Sequence, residues 1–284
     1  MNELFHIAAL MATGYGEVEG GQPTWEQREM IVYTNFVRVD PTHWTSAYDC
    51  NISTFSSSEK QPIDPVLYHD GLTAIAQLHT EEMNQYDFLA HESRDGTDFG
   101  TRVWPYYDGT TIGENVAMGY GDNWAAVFEG WMCSAGHRSN IMESDFEDIG
   151  TGVDGRYYTQ DFGGGLSRAH QPVAMGVHTP ERPSSDVEFL ATWKDSSGPG
   201  SLWVETETDC TEMSLEAGTE SRGAWSATID AGSGCQAYRF VWADGADYES
   251  LPTEGAYQYG SGCTEWISAA PETCIPDTGD DGDD

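Results

Sequence analysis

Apolar positions recur at helical spacing in three stretches of the first half of the chain. The first opens at Thr24, where the T-x-x-Q phrase Thr24 to Gln27 predicts a capping box. Met30, Tyr33 and Val37 follow near helical spacing until Pro41 stops the run. A second helix is expected from about Pro65 to Tyr86, because Leu72, Ile75, Ala76, His79 and Met83 share one face. A third runs from Asn123 to Cys133, with Trp124, Val127, Phe128 and Trp131 together, and a short fourth spans Gly136 to Met142. Gly150 to Val153 and Tyr157 to Phe162 read as strands between and after these helices. Helices flanking a small sheet predict an α+β fold, a three-layer α-β-α sandwich ending near residue 180.

The texture then changes. Thr179 to Ser185 (TPERPSS) reads as a linker. Beyond it, short runs at Phe189–Trp193, Leu202–Thr206, Met213–Leu215, Trp225–Ile229 and Tyr238–Trp242 are separated by turn signals. Tyr238, Phe240 and Trp242 alternate as in a strand with one buried face. This spacing predicts a small all-β sandwich. The expected organisation is a leader and linker over 1–23, a first domain over 24–180, a linker over 181–186, a sandwich over 187–262, and a Cys-containing, acidic, disordered tail over 263–284.

Charge narrows the function classes. The 284 residues carry 48 Asp plus Glu against 12 Lys plus Arg, a net charge of −36, with Lys60 and Lys194 the sole lysines. Phosphate contacts need clustered cations, so nucleic acid is not an expected partner. Docking on anionic lipid by charge is disfavoured for the same reason. No apolar run approaches the roughly 18–20 residues that span a bilayer, so no transmembrane segment is expected. The run Leu4–Ala12 is broken by His6 and preceded by Glu3, so it does not read clearly as a signal peptide. Six widely spaced cysteines without a CxxC pair fit disulfides and an oxidising compartment, extracellular or at the cell surface. Fifteen pairings are open; pairing neighbours gives Cys50–Cys133, Cys210–Cys235 and Cys263–Cys274.

Four phrases of the first domain stand out in order: Ala76 to Met83 (AQLHTEEM), His91 to Gly96 (HESRDG), Gly113-Glu114-Asn115, and Trp131 to Ile141 (WMCSAGHRSNI). Asp148 to Val153 and Tyr157 to Gln160 follow. Together they resemble the CAP superfamily of cysteine-rich secretory, antigen 5 and pathogenesis-related 1 proteins, also called the SCP domain, in its shorter bacterial form. The resemblance covers roughly Thr24 to Val177. It implies an α-β-α sandwich and, in longer members, a shallow cleft lined by two histidines and two acids. By motif His91 and Glu114 are one histidine and one acid. Ser134 stands where the second acid belongs, and Tyr157 where the second histidine belongs. The bacterial phrase adds His137. The ligand cleft is therefore expected at His91, Glu114, Asn115, Ser134, His137 and Tyr157. In the C-terminal region, Glu212 to Leu215, Gly223 to Trp225 and Tyr238 to Phe240 resemble immunoglobulin-like modules of bacterial surface proteins, which implies a role in spacing, display or binding.

Two imidazoles and a carboxylate form a borderline ligand set for Zn²⁺, here His91, His137 and Glu114, and Glu114 is the candidate base for a metal-bound water. HExxH and G-x-S-x-G are both absent. Each residue also has an architectural reading. His79 is a packed core histidine, His91 anchors its loop, Glu114 and Asn115 tie backbone amides, and Ser134 caps the helix of His137. The reading adopted is a secreted or surface protein that acts mainly by binding a lipid, an envelope component or a protein. The alternatives are a metal-dependent, peptidase-like hydrolase using the same cleft, and a structural spacer with a vestigial cleft.

Overall fold

The computed structural model describes residues 23–48, 52–120, 124–181, 183, 185–244, 247–264 and 266–274. Residues 1–22 of the expected leader, Cys50 and the last ten residues of the expected tail lie outside the described residues.

The first helix, α1 (Trp25–Val39), begins where the capping box predicts. Gln27 N donates to Thr24 Oγ1, and Thr24 N donates to Gln27 Oε1 at 2.9 Å. Asp40 ends it and caps the short α2 (Pro41–Trp44) through His43 N. The second long helix, α3 (Asp70–Tyr86), starts later than its apolar pattern suggests. The residues ahead of it form β1 (Leu67–Tyr68), paired in parallel with β3 (Asp148–Asp154). His69 caps α3 by accepting from Leu72 N, and Asp87 closes it in the left-handed region at φ 53°. A short α4 (Phe99–Val103) leads to β2 (Thr111–Met118), which no periodicity had marked. Then come α5 (Trp124–Cys133), α6 (Ala135–Ile141), β3 and β4 (Tyr157–Gly164).

The first sheet has the order β1-β3-β4-β2. Gly150 and Gly152 of β3 face α3: a Cβ on either would sit 2.1 Å from the Leu72 backbone or 2.4 Å from Ala76 O. Their missing side chains let α3 lie directly on the strand. The opposite face meets α1, where Thr151 Oγ1 donates to Gln27 O and Gln160 Nε2 to Thr34 Oγ1. The three-layer α-β-α expectation therefore holds.

The second module is two antiparallel sheets sharing one aromatic core. One holds β5 (Val173–Thr179), β6 (Asp186–Lys194), β10 (Arg222–Asp230) and β9 (Ser214–Thr219), in that order. The other runs β14 (Trp266–Ile267), β13 (Ala256–Gly260), β11 (Cys235–Asp244), β7 (Leu202–Thr206), β8 (Cys210–Glu212), with β12 (Asp247–Leu251) also on β11. Phe189, Trp193, Tyr238, Phe240 and Trp242 fill the space between them. The first sheet of this pair is buried on both faces, because Met175, Val177, Leu190 and Ala224 pack on α1. The layers thus run α3, first sheet, α1, second sheet, third sheet.

Three expectations need correction. Val173–Thr179, assigned to the first domain, pairs with Asp186–Lys194, so the linker phrase is the turn of a hairpin. The segment after 262 is not wholly a disordered tail: Trp266 and Ile267 pair with β13, and Cys263 and Cys274 are bridged back to Cys235 and Cys210. In the second module the disulfides are Cys210–Cys274 and Cys235–Cys263, a nested pair in place of the expected Cys210–Cys235 and Cys263–Cys274. Cys235 opposes Gly260 in the β11–β13 ladder, which brings Cys263 alongside it, while Cys274 N bonds Glu205 Oε1 beside β8. The expected Cys50–Cys133 bridge involves a residue outside those described.

Candidate ligand-binding cleft

Glu114 lies on β2 directly across from Asp161 of β4. Its side chain is 1% exposed, yet both of its oxygens are engaged. His91, in the loop after α3, donates through Nδ1 to Oε1 at 2.8 Å. Arg102 of α4 donates through Nη2 to Oε2 at 2.5 Å. Arg102 also donates to His91 O at 2.7 Å, so one guanidinium fixes both the carboxylate and the loop carrying the imidazole. The His91 side chain remains 52% exposed. With Nδ1 turned inward, Nε2 is its outward nitrogen.

Electrostatics follow from this nesting. The bond to Glu114 raises the His91 pKa, against the opposing effect of partial burial. Burial, followed by the charge of Glu114 opposite, raises the Asp161 pKa well above its ordinary value. Two carboxyls on neighbouring strands in a dry site do not both ionise. Burial lowers the pKa of His137, and the neighbouring His91 lowers it further.

A side-chain amide network ties the next helix to β2. Asn115 Nδ2 donates to His137 O at 3.1 Å, and Asn140 Nδ2 donates to Glu114 O and to Asn115 Oδ1. His137 is thereby placed on the same side as His91. Ser134 takes the N-cap position of α6, but its hydroxyl makes no capping bond. Tyr157 stands apart: it pairs with Met118, roughly 13 Å along the ladder from Glu114. It packs with Met83 and Val116, and its hydroxyl donates to Asp87. His79 is a core histidine, its Nε2 donating to Ala90 O at 2.8 Å. A shallow groove of about 330 Å³, bordered by Tyr86, Phe88 and Arg94, opens on the His91 loop.

The zinc expectation meets an obstacle in this geometry. The Glu114 carboxylate already has a guanidinium on one oxygen and an imidazole N–H on the other. Among the described residues no group of three His, Cys, Asp or Glu is arranged to hold a metal ion. As arranged, these side chains do not form such a site. Arg102 and Asp161 were missed by the sequence reading. Asp161 carries a readable signal, since it directly follows the Tyr157 to Gln160 phrase. Arg102 belongs to no motif.

Residues 33–163 match the model of the CAP family, the cysteine-rich secretory protein family. This region is a CAP domain. Two proteins of Bacillus subtilis strain 168 are similar in sequence. One, described as an uncharacterized membrane protein, YlbC, is 40% identical over 89 residues, 31% of this chain and 25% of that protein. The other, YkwD, is 31% identical over 122 residues, 41% of this chain and 47% of that protein. The match thus spans about a quarter and about half of these relatives' lengths. Among solved structures, an extracellular SCP-domain protein of Bacillus anthracis has a TM-score of 0.39 and 22% identity, covering 49% of this chain and 40% of that one. An outer surface protein of Borrelia burgdorferi has a TM-score of 0.33 and 19% identity, covering 37% and 80%.

Proposed function

We propose that the chain is an extracellular or cell-surface binding protein whose CAP domain presents His91, backed by buried Glu114, to a ligand. The observation that carries this reading is the saturation of Glu114. A carboxylate held by Arg102 and His91 is poorly placed to deprotonate water or to ligate zinc. It is well placed to orient an imidazole whose outer nitrogen meets an acceptor on a lipid, an envelope component or a protein. The disulfides of the second module fit an oxidising location.

The test is a calorimetric Zn²⁺ titration of the full chain, run beside His91→Ala and His137→Ala, followed by sedimentation with lipid vesicles and envelope fractions. The expected result is no His91-dependent zinc isotherm and a loss of ligand capture in His91→Ala. A one-site isotherm abolished by either substitution would overturn the reading in favour of the metal-assisted hydrolase. Unchanged capture by the double variant would leave the cleft as a spacer's relic.

A further inference from the structure

A concavity larger than the groove beside the His91 loop lies elsewhere in the molecule. It is a cleft of about 750 Å³ where the two modules meet. On one side it is bordered by β1 and by Arg168 in the segment that leads into β5. On the other it is bordered by Arg239 of β11 and by Tyr248, Glu249 and Thr253 on and after β12. Neither module encloses it alone.

Its charges are arranged in an uncommon way for a chain with ten arginines and a net charge of −36. Two of those arginines line the cleft, and each is already neutralised. Arg168 donates through Nε and Nη2 to Asp148 Oδ1 at 3.0 and 2.5 Å, and Asp148 is 1% exposed. Tyr107 donates to the other oxygen of Asp148. Arg239 Nε donates to Glu205, which is fully buried and also accepts from Cys274 N. What the arginines offer to the cleft is N–H donors without net charge.

That feature discriminates among ligand classes. An anion finds no uncompensated cation here and meets the exposed carboxylate of Glu249. A metal ion meets two guanidiniums. An apolar chain would strip water from donors that it cannot replace. A neutral polyol satisfies the donors that open on the cleft, because each of its hydroxyls both donates and accepts. The Tyr248 ring, 38% exposed beside Trp203, supplies the apolar face that a sugar ring covers. The volume lies within the range of small-ligand sites.

We infer that the cleft between the modules, bordered by Arg168, Arg239 and Tyr248, binds a neutral oligosaccharide. The site is separate from the His91 cleft and needs both modules for its walls.

The test uses the full chain on an array of neutral glycans that includes cello-, chito- and malto-hexaose, with calorimetry of the best binder. Saturable binding is expected, weakened about tenfold or more by Tyr248→Ala and unchanged by His91→Ala. Thr253→Trp, a second exposed position that narrows the cleft, is expected to weaken it as well. Both variants should keep the thermal midpoint of the parent, which separates a lost contact from a lost fold. Absence of binding to any glycan at millimolar concentration overturns the inference, as does binding indifferent to both variants. Tyr248-dependent capture of an extended peptide from a library, where no glycan binds, overturns it in favour of a peptide site.

Discussion

The core around α1 and the His91 cleft each set a buried arginine beside a histidine, yet they finish them differently. Arg38, wholly buried, donates to four main-chain carbonyls, those of Asp64, Ile141, Glu143 and Phe146. Burial lowers its pKa to about 9, so it stays cationic at neutral pH. His178, at the joint between the modules, donates through Nε2 to Glu181 O and accepts from the Tyr238 hydroxyl. Burial, helped by Arg28, lowers its pKa to about 3. These groups end on neutral partners and face no solvent. Arg102 instead ends on an ionised carboxylate, and that carboxylate ends on an imidazole that is half in water. A buried charge closed by carbonyls is a staple. One passed on through a carboxylate to the surface is a means of presenting a side chain.

The strongest way to break this contrast is Arg38→Met. It strips donors from four carbonyls and should cost about 3–5 kcal/mol in urea denaturation, or prevent folding altogether. A loss near that of a surface change would remove the staple reading. Glu114→Gln comes next, at about 1–3 kcal/mol, because Arg102 loses its counter-charge in a dry site. Ring-proton NMR should then show His91 titrating lower than in the parent. An unmoved His91 would mean that the carboxylate does not govern the imidazole.

The two histidines predict opposite pH responses. The folded value of His178 lies below its unfolded value of about 6.5, so the unfolded chain binds more protons between about pH 6.5 and 3. Its contribution to stability therefore falls as the medium is acidified, by at most about 1.4 kcal/mol per pH unit. His178→Gln should flatten that part of the stability–pH curve, measured by thermal midpoints. His91 runs the other way: its stabilisation is present below about pH 6.5 and is lost as pH rises through its raised folded value. Solvent screening keeps this small, and His91→Ala should change stability by less than about 0.5 kcal/mol while removing ligand capture.

Much of this architecture was legible in the sequence, for local reasons. The Thr24–Gln27 cap, the apolar face of α3 and the alternation through Tyr238, Phe240 and Trp242 are short-range patterns that the structure keeps. What failed was long-range. α1 read as amphipathic, but 13 of its 15 residues are buried, including Gln27, Asn35 and Arg38. Asn35 and Arg38 are satisfied inside by partners distant in sequence, which no periodicity reveals. Nearest-neighbour pairing of the four cysteines of the second module failed because sheet order, not sequence order, sets which strands adjoin. In the cleft, His91 and Glu114 were readable because they sit in phrases. Arg102, which holds both, sits in none, and Tyr157 was placed by phrase at a position that the ladder carries away from Glu114.

The hairpin that joins β5 to β6 has a consequence for how such a protein is inherited. A break at the Pro-rich turn, the natural seam by sequence, would leave β5 on one side and its hydrogen-bonding partner on the other. The sandwich is therefore not a cassette that can be exchanged at residue 180. A lineage that replaced it would have to replace β5 as well, and would have to re-tailor the face of α1 on which Met175, Val177, Leu190 and Ala224 rest.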